Sequence, residues 1–490
     1  MTDFQDLFVI STSLILLLGA VAVLVIDIFF PNNRGWLSVT ALSVLLIAIV
    51  GAFLQFSFGD TQIAFHGAVS LDQFGLFFIT IVIIVAVIIT IASSSWALKL
   101  DLAGEYYALL LVATGSMSLL VQAQDLILIF IALETTSIAQ YVLVAITRED
   151  KSAEAGLKYL ISGAIAAAIM IYGFALLFGL AGSTSLSDIA VFVNSSNSDI
   201  RLAITIAFIF IIAGFGFKMA LVPFHGWAPD VYQGAPTRVI AFLSVASKAA
   251  GFGVALRLFY TGLGGGDTFI ASDWAMVFGI FAVLSMFVGN TAAILQTDVR
   301  RLLGYSSIAQ AGNIAIGLAA VSVGNTVGAS GVLFYLASYL VTNLAVFLTV
   351  IIISERIGSY ELKSYAGIIR RSPLLALVLI LGLLSLTGIP PTAGFIAKLY
   401  VFNNAIQTGE IWLVAVVVIG VINTAIAAFY YLRWIRIIAL DPPEFDKEYT
   451  FVTSGRMQFV LAFTTMGMIL IGLAPSRLID LAQNAASTLL

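Results

Sequence analysis

The chain has 490 residues, of which 61% are hydrophobic and only 10% charged, and its mean hydropathy is +1.09. A soluble domain is about 45–50% apolar and about 25% charged, so the composition excludes a soluble globular protein and requires a polytopic membrane protein. The net charge of −4 and the absence of any basic block give no reason to expect a nucleic-acid partner. Zero Cys removes disulfides, thiolate metal sites and cysteine-ligated iron–sulfur clusters, and two histidines, His66 and His225, leave almost nothing to hold haem or a catalytic metal.

In chain order, apolar stretches of the ~20 residues needed to cross a bilayer predict about fourteen spans. They lie near 7–30, 36–57, 73–97, 106–123, 125–146, 157–182, 202–222, 237–262, 273–295, 302–322, 327–353, 373–404, 411–437 and 456–474. The first is too long for a signal-peptide core and has an acidic front, so it reads as a span. Backbone groups in lipid must be satisfied within each segment, so all are helices. The most polar intervening stretches are 355–372 and 441–455, and GLGGGD at 262–267 reads as a turn. Asp27 and Asp125, near span ends, read as solvated boundary residues, His66 as a loop residue, and the 36 phenylalanines as lipid-facing and packing residues.

Of 22 Lys and Arg, fifteen fall in the odd-numbered loops, while Arg201, Arg257 and Arg477 fall on the other side. By the positive-inside rule the odd loops face the cytoplasm and both termini the opposite face. Lys158, Lys218, Lys248 and Lys398 remain within spans. A lysine at the bilayer centre costs about 3 kcal/mol or more, and one kept there faces a bundle interior and marks a route for ions or protons.

Two short matches indicate an internal repeat. PFHGWAPDVY at 223–232 and PTAGFIAKLY at 391–400 share the pattern P-x-x-G-aromatic-x-x-charged-x-Y, and SIAQ at 137–140 recurs at 307–310. The nearly equal offsets map spans four to eight onto spans nine to thirteen. Five spans is an odd number, so the two copies have opposite orientations, the inverted-repeat plan of many transporters. Pro223 and Pro390-Pro391 interrupt the corresponding spans seven and twelve, and paired broken helices point to a polar pathway at the midplane. The expected division is a three-helix segment at 1–103, a first five-helix repeat at 104–263, an inverted second repeat at 264–440, and a loop with the last helix at 441–490.

The segments LETTSIAQYVL, FKMALVPFHGWAPDVYQGAPT, AFLSVASKAAGF, RRLLGYSSIAQAGN and GIPPTAGFIAKLY together resemble subunit N of the respiratory complex I family, the NADH-quinone oxidoreductases. One departure is Arg238, where that family is expected to carry Pro after APT. The resemblance implies a proton-translocating membrane-arm subunit in a bacterial inner membrane, working among other membrane-arm subunits. It also implies no cofactor on this chain, with NADH, FMN, iron–sulfur clusters and quinone in other subunits. Carried over by position, it makes Glu134 the acid of the fifth span and Lys218 the lysine of the seventh. Lys158 and Lys248 become connecting groups, Lys398 the outlet-side lysine, and His225 a proton relay beside the broken span. Lysine suits such work because burial disfavours its charged form and a nearby carboxylate favours it, so moving the partner makes it release or take up a proton. The alternatives are an Mrp-type cation/proton antiporter subunit, the equivalent subunit of a ferredoxin-linked or hydrogenase complex, and a scaffold with a silent channel.

Overall fold

The computed structural model of the chain describes residues 2–30, 34–57, 59, 61–196, 200–263, 268–320, 326–442 and 454–489. Helices α1 (Thr2–Val9), α2 (Ser11–Phe29) and α3 (Gly35–Ser57) come first, followed by an antiparallel pair, β1 (Gln62–Ala64) and β2 (Val69–Leu71). The helices α4 (Gln73–Ala97), α5 (Ala103–Gln122), α6 (Leu126–Val144) and α7 (Asp150–Ala181) cross next, and a short α8 (Leu186–Ser195) leads to α9 (Arg201–Met219). After a non-helical stretch come α10 (Trp227–Gly234), α11 (Thr237–Phe242) and α12 (Lys248–Arg257). A π-turn, Leu243–Ser247, joins α11 and α12 into one span, Thr237–Gly262. The second half holds α13 (Ala271–Ile294), α14 (Val299–Ala319), α15 (Val327–Ile357), a one-turn α16 (Ile368–Arg371), α17 (Pro373–Thr387), α18 (Ala393–Gln407) and α19 (Ile411–Ala439). The helices α20 (Gly455–Leu473) and α21 (Ser476–Ser487) close the described chain.

Among the described residues twelve helices are long and apolar enough to cross a membrane. Two of the fourteen predicted spans are of another kind. The tenth is α14, whose Ser306, Ser307, Gln310 and Asn313 make it too polar for that criterion although all four are buried. The twelfth is two helices, α17 and α18, separated at 388–392, and the seventh is likewise interrupted, between α9 and α10. Both interruptions fall at the prolines where they were expected, because proline has no N–H to donate and clashes with the preceding turn. Residues 264–267 of the predicted turn at 262–267 and most of the polar stretch 441–455 lie outside the described residues, while Gly262 ends the span Thr237–Gly262.

Burial sorts the helices into a centre and a rim. Every residue of the most apolar window of Thr237–Gly262 and 94% of that of α15 are buried, against 33% for α2, α3, α19 and α20. A helix that is apolar on all faces belongs in the middle of a bundle. The tightest pairing, α13 with α14, is set by small residues: a Cβ added at Gly289 would meet the Ala309 amide nitrogen at 2.6 Å, and one at Gly312 the Ala282 carbonyl at 2.7 Å. Close backbone approach of this kind is how helices associate where lipid supplies no hydrophobic drive.

Three charged residues stand differently from the sequence reading. Arg257 is not a loop residue: it is 1% exposed and bonds Asp72 through both terminal nitrogens, at 2.5 and 2.9 Å, and Val121 O through Nε at 3.0 Å. Asp72 also caps α4 by accepting from the Gly75 amide, so one carboxylate fixes both a helix start and the end of α12. Arg238, also assigned to a loop, is buried at the start of α11, where it bonds Glu355 at 2.5 Å and Ala92 O at 3.1 Å and lies over the Trp96 ring. Asp125 is the N-cap of α6, accepting from the Ile127 and Leu128 amides, and takes the Thr184 hydroxyl at 2.5 Å rather than facing solvent alone.

Removing one member of a buried ion pair strands the other charge at a cost of about 3–5 kcal/mol. Asp72→Ala therefore lowers the thermal unfolding midpoint of the purified protein sharply, whereas Asp72→Leu combined with Arg257→Met loses much less. Equal losses in the single and double variants, measured by melting in detergent, would show that the cost lies in losing the pair itself and not in a stranded Arg257 charge.

Candidate functional site

The site is built at helix ends and at the two helix interruptions. Lys218 occupies the last turn of α9, which stops at Ala220 because that residue takes the left-handed conformation, φ 59°. Its side chain is 2% exposed and donates to Gln140 Oε1 at 2.9 Å and Ser137 Oγ at 3.2 Å, both on α6. The same Gln140 oxygen accepts from the Ser247 hydroxyl at 3.1 Å and the Tyr159 hydroxyl at 3.2 Å. Four helices therefore converge on one side-chain carbonyl. Glu134 lies one turn earlier on α6 and is half-buried. It makes no ion pair within 4.0 Å among the described residues, and the side chains that bond the Lys218 amine are Ser137 and Gln140 of the same helix.

Lys248 follows Ser247 directly and is 3% exposed. Its amine donates to the Ser307 carbonyl at 2.5 Å and hydroxyl at 2.6 Å on α14. That hydroxyl also accepts from Tyr232 of α10 at 3.0 Å and Tyr339 of α15 at 3.4 Å, and the Tyr339 ring lies 5.5 Å from the Lys248 amine. The neighbours Ser247 and Lys248 thus join the Gln140 cluster to the Ser307 cluster through one step of backbone.

One turn beyond Ser307, Gln310 accepts from the Tyr335 hydroxyl at 2.5 Å and donates to Leu386 O at 2.9 Å. Lys398, on α18 and 6% exposed, reaches back across the interruption to donate to Thr387 O at 2.8 Å and approaches Thr424 Oγ1 at 3.4 Å. The lysine stem runs over Gly388, φ 92°, where an added Cβ would meet its Cδ at 3.0 Å. Both Lys218 and Lys398 sit where a broken helix presents its C-terminal carbonyls, the end whose partial negative charge favours a cation.

The two SIAQ segments hold this row together. Ser137 and Gln140 bind Lys218, while Ser307 binds Lys248 and Gln310 reaches the end of α17. Sequence reasoning found the lysines but not these acceptors, nor Tyr159, Tyr232, Tyr335 and Tyr339. The recurrence of SIAQ was the available signal, since a Ser and a Gln three residues apart on a buried helix face can serve neighbouring donors.

Lys158 and His225 stand apart from the row. Lys158 is about half exposed and pairs with Glu154 at 2.9 Å and Asp230 at 3.0 Å. His225 is half-buried in the stretch between α9 and α10, where its carbonyl accepts from the Ala228 amide at 3.0 Å. The charged position shared by the two proline motifs has also diverged: Asp230 lies at the rim and Lys398 in the interior. Among the described residues no group of three His, Cys, Asp or Glu could hold a metal ion.

Residues 123–424 match the family described as NADH:quinone oxidoreductase/Mrp antiporter, transmembrane. The chain is 36% identical to the NADH-quinone oxidoreductase subunit N of Dehalococcoides mccartyi over 99% of its own length and 100% of the relative's. It superposes with a TM-score of 0.80 on a chain of respiratory complex I from Thermus thermophilus with bound aureothin, at 30% identity, covering 96% of this chain and 98% of that one. A chain of the Mrp complex from Dietzia sp. shares the fold, with a TM-score of 0.84 at 20% identity over 100% of this chain and 98% of its own. Matching over nearly its full length, the chain belongs to the NADH:quinone oxidoreductase/Mrp antiporter family, as a subunit N-type member of the NADH-quinone oxidoreductases.

Proposed function

We propose that the chain is the subunit of a complex I-like NADH:quinone oxidoreductase that moves protons through the row Lys218–Lys248–Lys398 while electron transfer occurs elsewhere in the assembly. The observation that carries this reading is the row itself: three buried amines in sequence, linked by Gln140, Ser247, Ser307 and Gln310 across two interrupted helices. Each amine is held by neutral hydroxyl, amide or carbonyl oxygens. An amine so held can lose its proton without stranding a fixed partner charge, which a carboxylate-paired lysine cannot do. Glu134, at the Lys218 end, is the movable charge whose approach favours the protonated amine. One charge crossing 100 mV amounts to about 2.3 kcal/mol, a size that moving one buried charge can supply.

The chain itself carries no redox centre in this reading, and NADH, FMN, iron–sulfur clusters and quinone belong to its partner subunits. It resides in a bacterial inner membrane with both termini on the non-cytoplasmic face, and the halves 104–263 and 264–440 are inverted copies of one five-helix unit. A sodium-exchanging antiporter would need carboxylates at depth to coordinate the cation, and the row offers amines instead, which repel Na⁺.

Lys218→Met removes the titrating group and stops proton pumping in assembled membranes, and Lys218→Arg, which keeps the charge but does not release the proton, is nearly as harmful. Glu134→Gln impairs pumping and Glu134→Asp retains part of it. Pumping and quinone-reductase rates are measured side by side after assembly is confirmed. Wild-type pumping by Lys218→Arg would remove proton release at that lysine from the mechanism.

Orientation is testable because the chain has no cysteine of its own. Cysteines placed at Lys151 and Glu410, in loops on opposite sides under the inverted plan, react with a membrane-impermeant maleimide from the cytoplasmic and the opposite face respectively. Labelling of both from one face would refute the inverted arrangement.

Reconstituted alone into vesicles, the chain shows no Na⁺ flux driven by a pH gradient. Robust Na⁺/H⁺ exchange by the isolated chain would return the assignment to an antiporter.

A further inference from the structure

On the side of the loops richest in Lys and Arg, α7, α10 and the start of α14 enclose a polar cleft of about 270 Å³. It differs in kind from the cavities at 126–184 and between α3, α4 and α20, which are lined almost wholly by Ile, Leu, Val and Phe. Asp230 stands in its wall, accepting from Lys158 at 3.0 Å and from Arg301 Nη1 at 2.7 Å. Lys151, Glu154, Asp298 and Arg300 complete the charged lining, with Asp298 and Arg300 paired to each other at 3.2 Å. A second polar cavity of about 200 Å³ shares Gly234 and Arg300 with it. Spaces of this size lined by charged groups hold several waters.

Each of the three helices around the cleft also reaches the buried row. On α7, Lys158 faces the cleft and the adjacent Tyr159 donates to Gln140. On α10, Asp230 faces the cleft and Tyr232 donates to Ser307, the acceptor for Lys248. On α14, Arg301 pairs with Asp230 and Ser307 itself lies less than two turns further in.

Lys158 has two carboxylates within reach, Glu154 at 2.9 Å and Asp230 at 3.0 Å, and its side chain is 48% exposed. It can therefore swing wholly onto Glu154 at little cost, because exposed pairs of this type contribute at most about 1 kcal/mol. With Lys158 on Asp230, two cations hold the carboxylate ionised. With Lys158 on Glu154, Asp230 keeps Arg301 alone and binds a proton more readily.

We propose that this cleft is the proton-uptake mouth of the first half of the chain, with Asp230 the group that takes the proton from water and Lys158 the gate that switches between Glu154 and Asp230. The proposal rests on the proton-transfer reading above and names where the protons come in. A hydronium ion gives its proton to the Asp230 carboxylate, forming the acid and leaving water. Inward of it, the Tyr232 hydroxyl passes its proton to Ser307 Oγ and Ser307 passes its own to a neutral Lys248 amine, while the Asp230 acid returns a proton to Tyr232 through water from the cleft and becomes a carboxylate again, so one proton enters and one reaches Lys248.

The test uses the whole complex in inverted membrane vesicles, with pumping and quinone-reductase rates read together. Asp230→Asn slows pumping by roughly a hundredfold, the lower end of what losing a positioned proton-transfer group costs, and Asp230→Glu restores most of it. Glu154→Gln removes the alternative seat of Lys158 and also slows pumping, which a purely structural ion cluster would not do. Lys151→Cys, at the exposed rim, is compared with itself before and after an impermeant cationic thiol reagent plugs the cleft, and the reagent slows its pumping severalfold; this arm decides even if Asp230→Asn fails to assemble. Undiminished pumping by Asp230→Asn and by plugged Lys151→Cys, while Lys218→Met is inactive, would place the mouth elsewhere and leave the function intact. Normal pumping by Lys218→Met would overturn the function and this proposal together.

Discussion

A protonated amine inside a bilayer must find acceptors within the protein, and that requirement organises the interior of this chain. Three lysines lie at 2–6% exposure, and none of them meets a carboxylate within 4.0 Å among the described residues. Their acceptors are neutral oxygens instead: the Ser137 and Gln140 side chains on α6, Ser307 on α14, and the Thr387 carbonyl at the open end of α17. Regular helix also stops beside each lysine: α9 ends directly after Lys218, the π-turn at Leu243–Ser247 precedes Lys248, and α17 ends at Thr387, whose carbonyl Lys398 reaches. Backbone irregularity at membrane depth is tolerated where it lines a polar interior, and here the irregular places and the lysines coincide.

The contrast with the arginines is instructive. Arg257 and Arg238 are equally buried, yet each is tied to a carboxylate with short charge-assisted bonds and to a backbone carbonyl. Arginine does not release its proton in a protein, so such pairs are permanent and serve as clamps between helices distant in sequence. Lysine held by neutral oxygens is a different device, since its charge can be withdrawn. The chain thus holds these two buried arginines by carboxylates and its three buried lysines by neutral oxygens.

The matching sequence motifs are put to different uses. SIAQ on α6 receives Lys218, while SIAQ on α14 receives Lys248 from the first half and touches the end of α17. Where the offset would place a second copy of Lys218, at 386–388, there is no lysine, and the free carbonyl of Thr387 is reached by Lys398 from α18 instead. At the position of the first proline motif that matches Lys398 stands Asp230, turned to the rim between Lys158 and Arg301. The same motif position therefore serves the interior in one segment and the surface in the other, which a pattern of identical letters does not reveal.

The membrane class, the positions of nearly all the helices, the two interruptions and the identity of the buried lysines were legible in the sequence, because each follows from local chemistry: apolar length, proline without an N–H, and charge inside an apolar run. What remained hidden depends on which faces meet. That Glu134 sits beside the row without pairing with Lys218, that Gln140 gathers donors from three other helices, and that Lys158 is a rim residue are consequences of helix rotation and crossing. Arg257, placed by hydropathy at a span end, proved to be among the most buried side chains, because its partner Asp72 lies 185 residues away in the chain. The sequence by itself determined what must be buried and where helices must break, since the bilayer judges each segment alone; the tertiary structure decided which oxygens the buried charges would share, since those come from segments that meet only when the bundle packs.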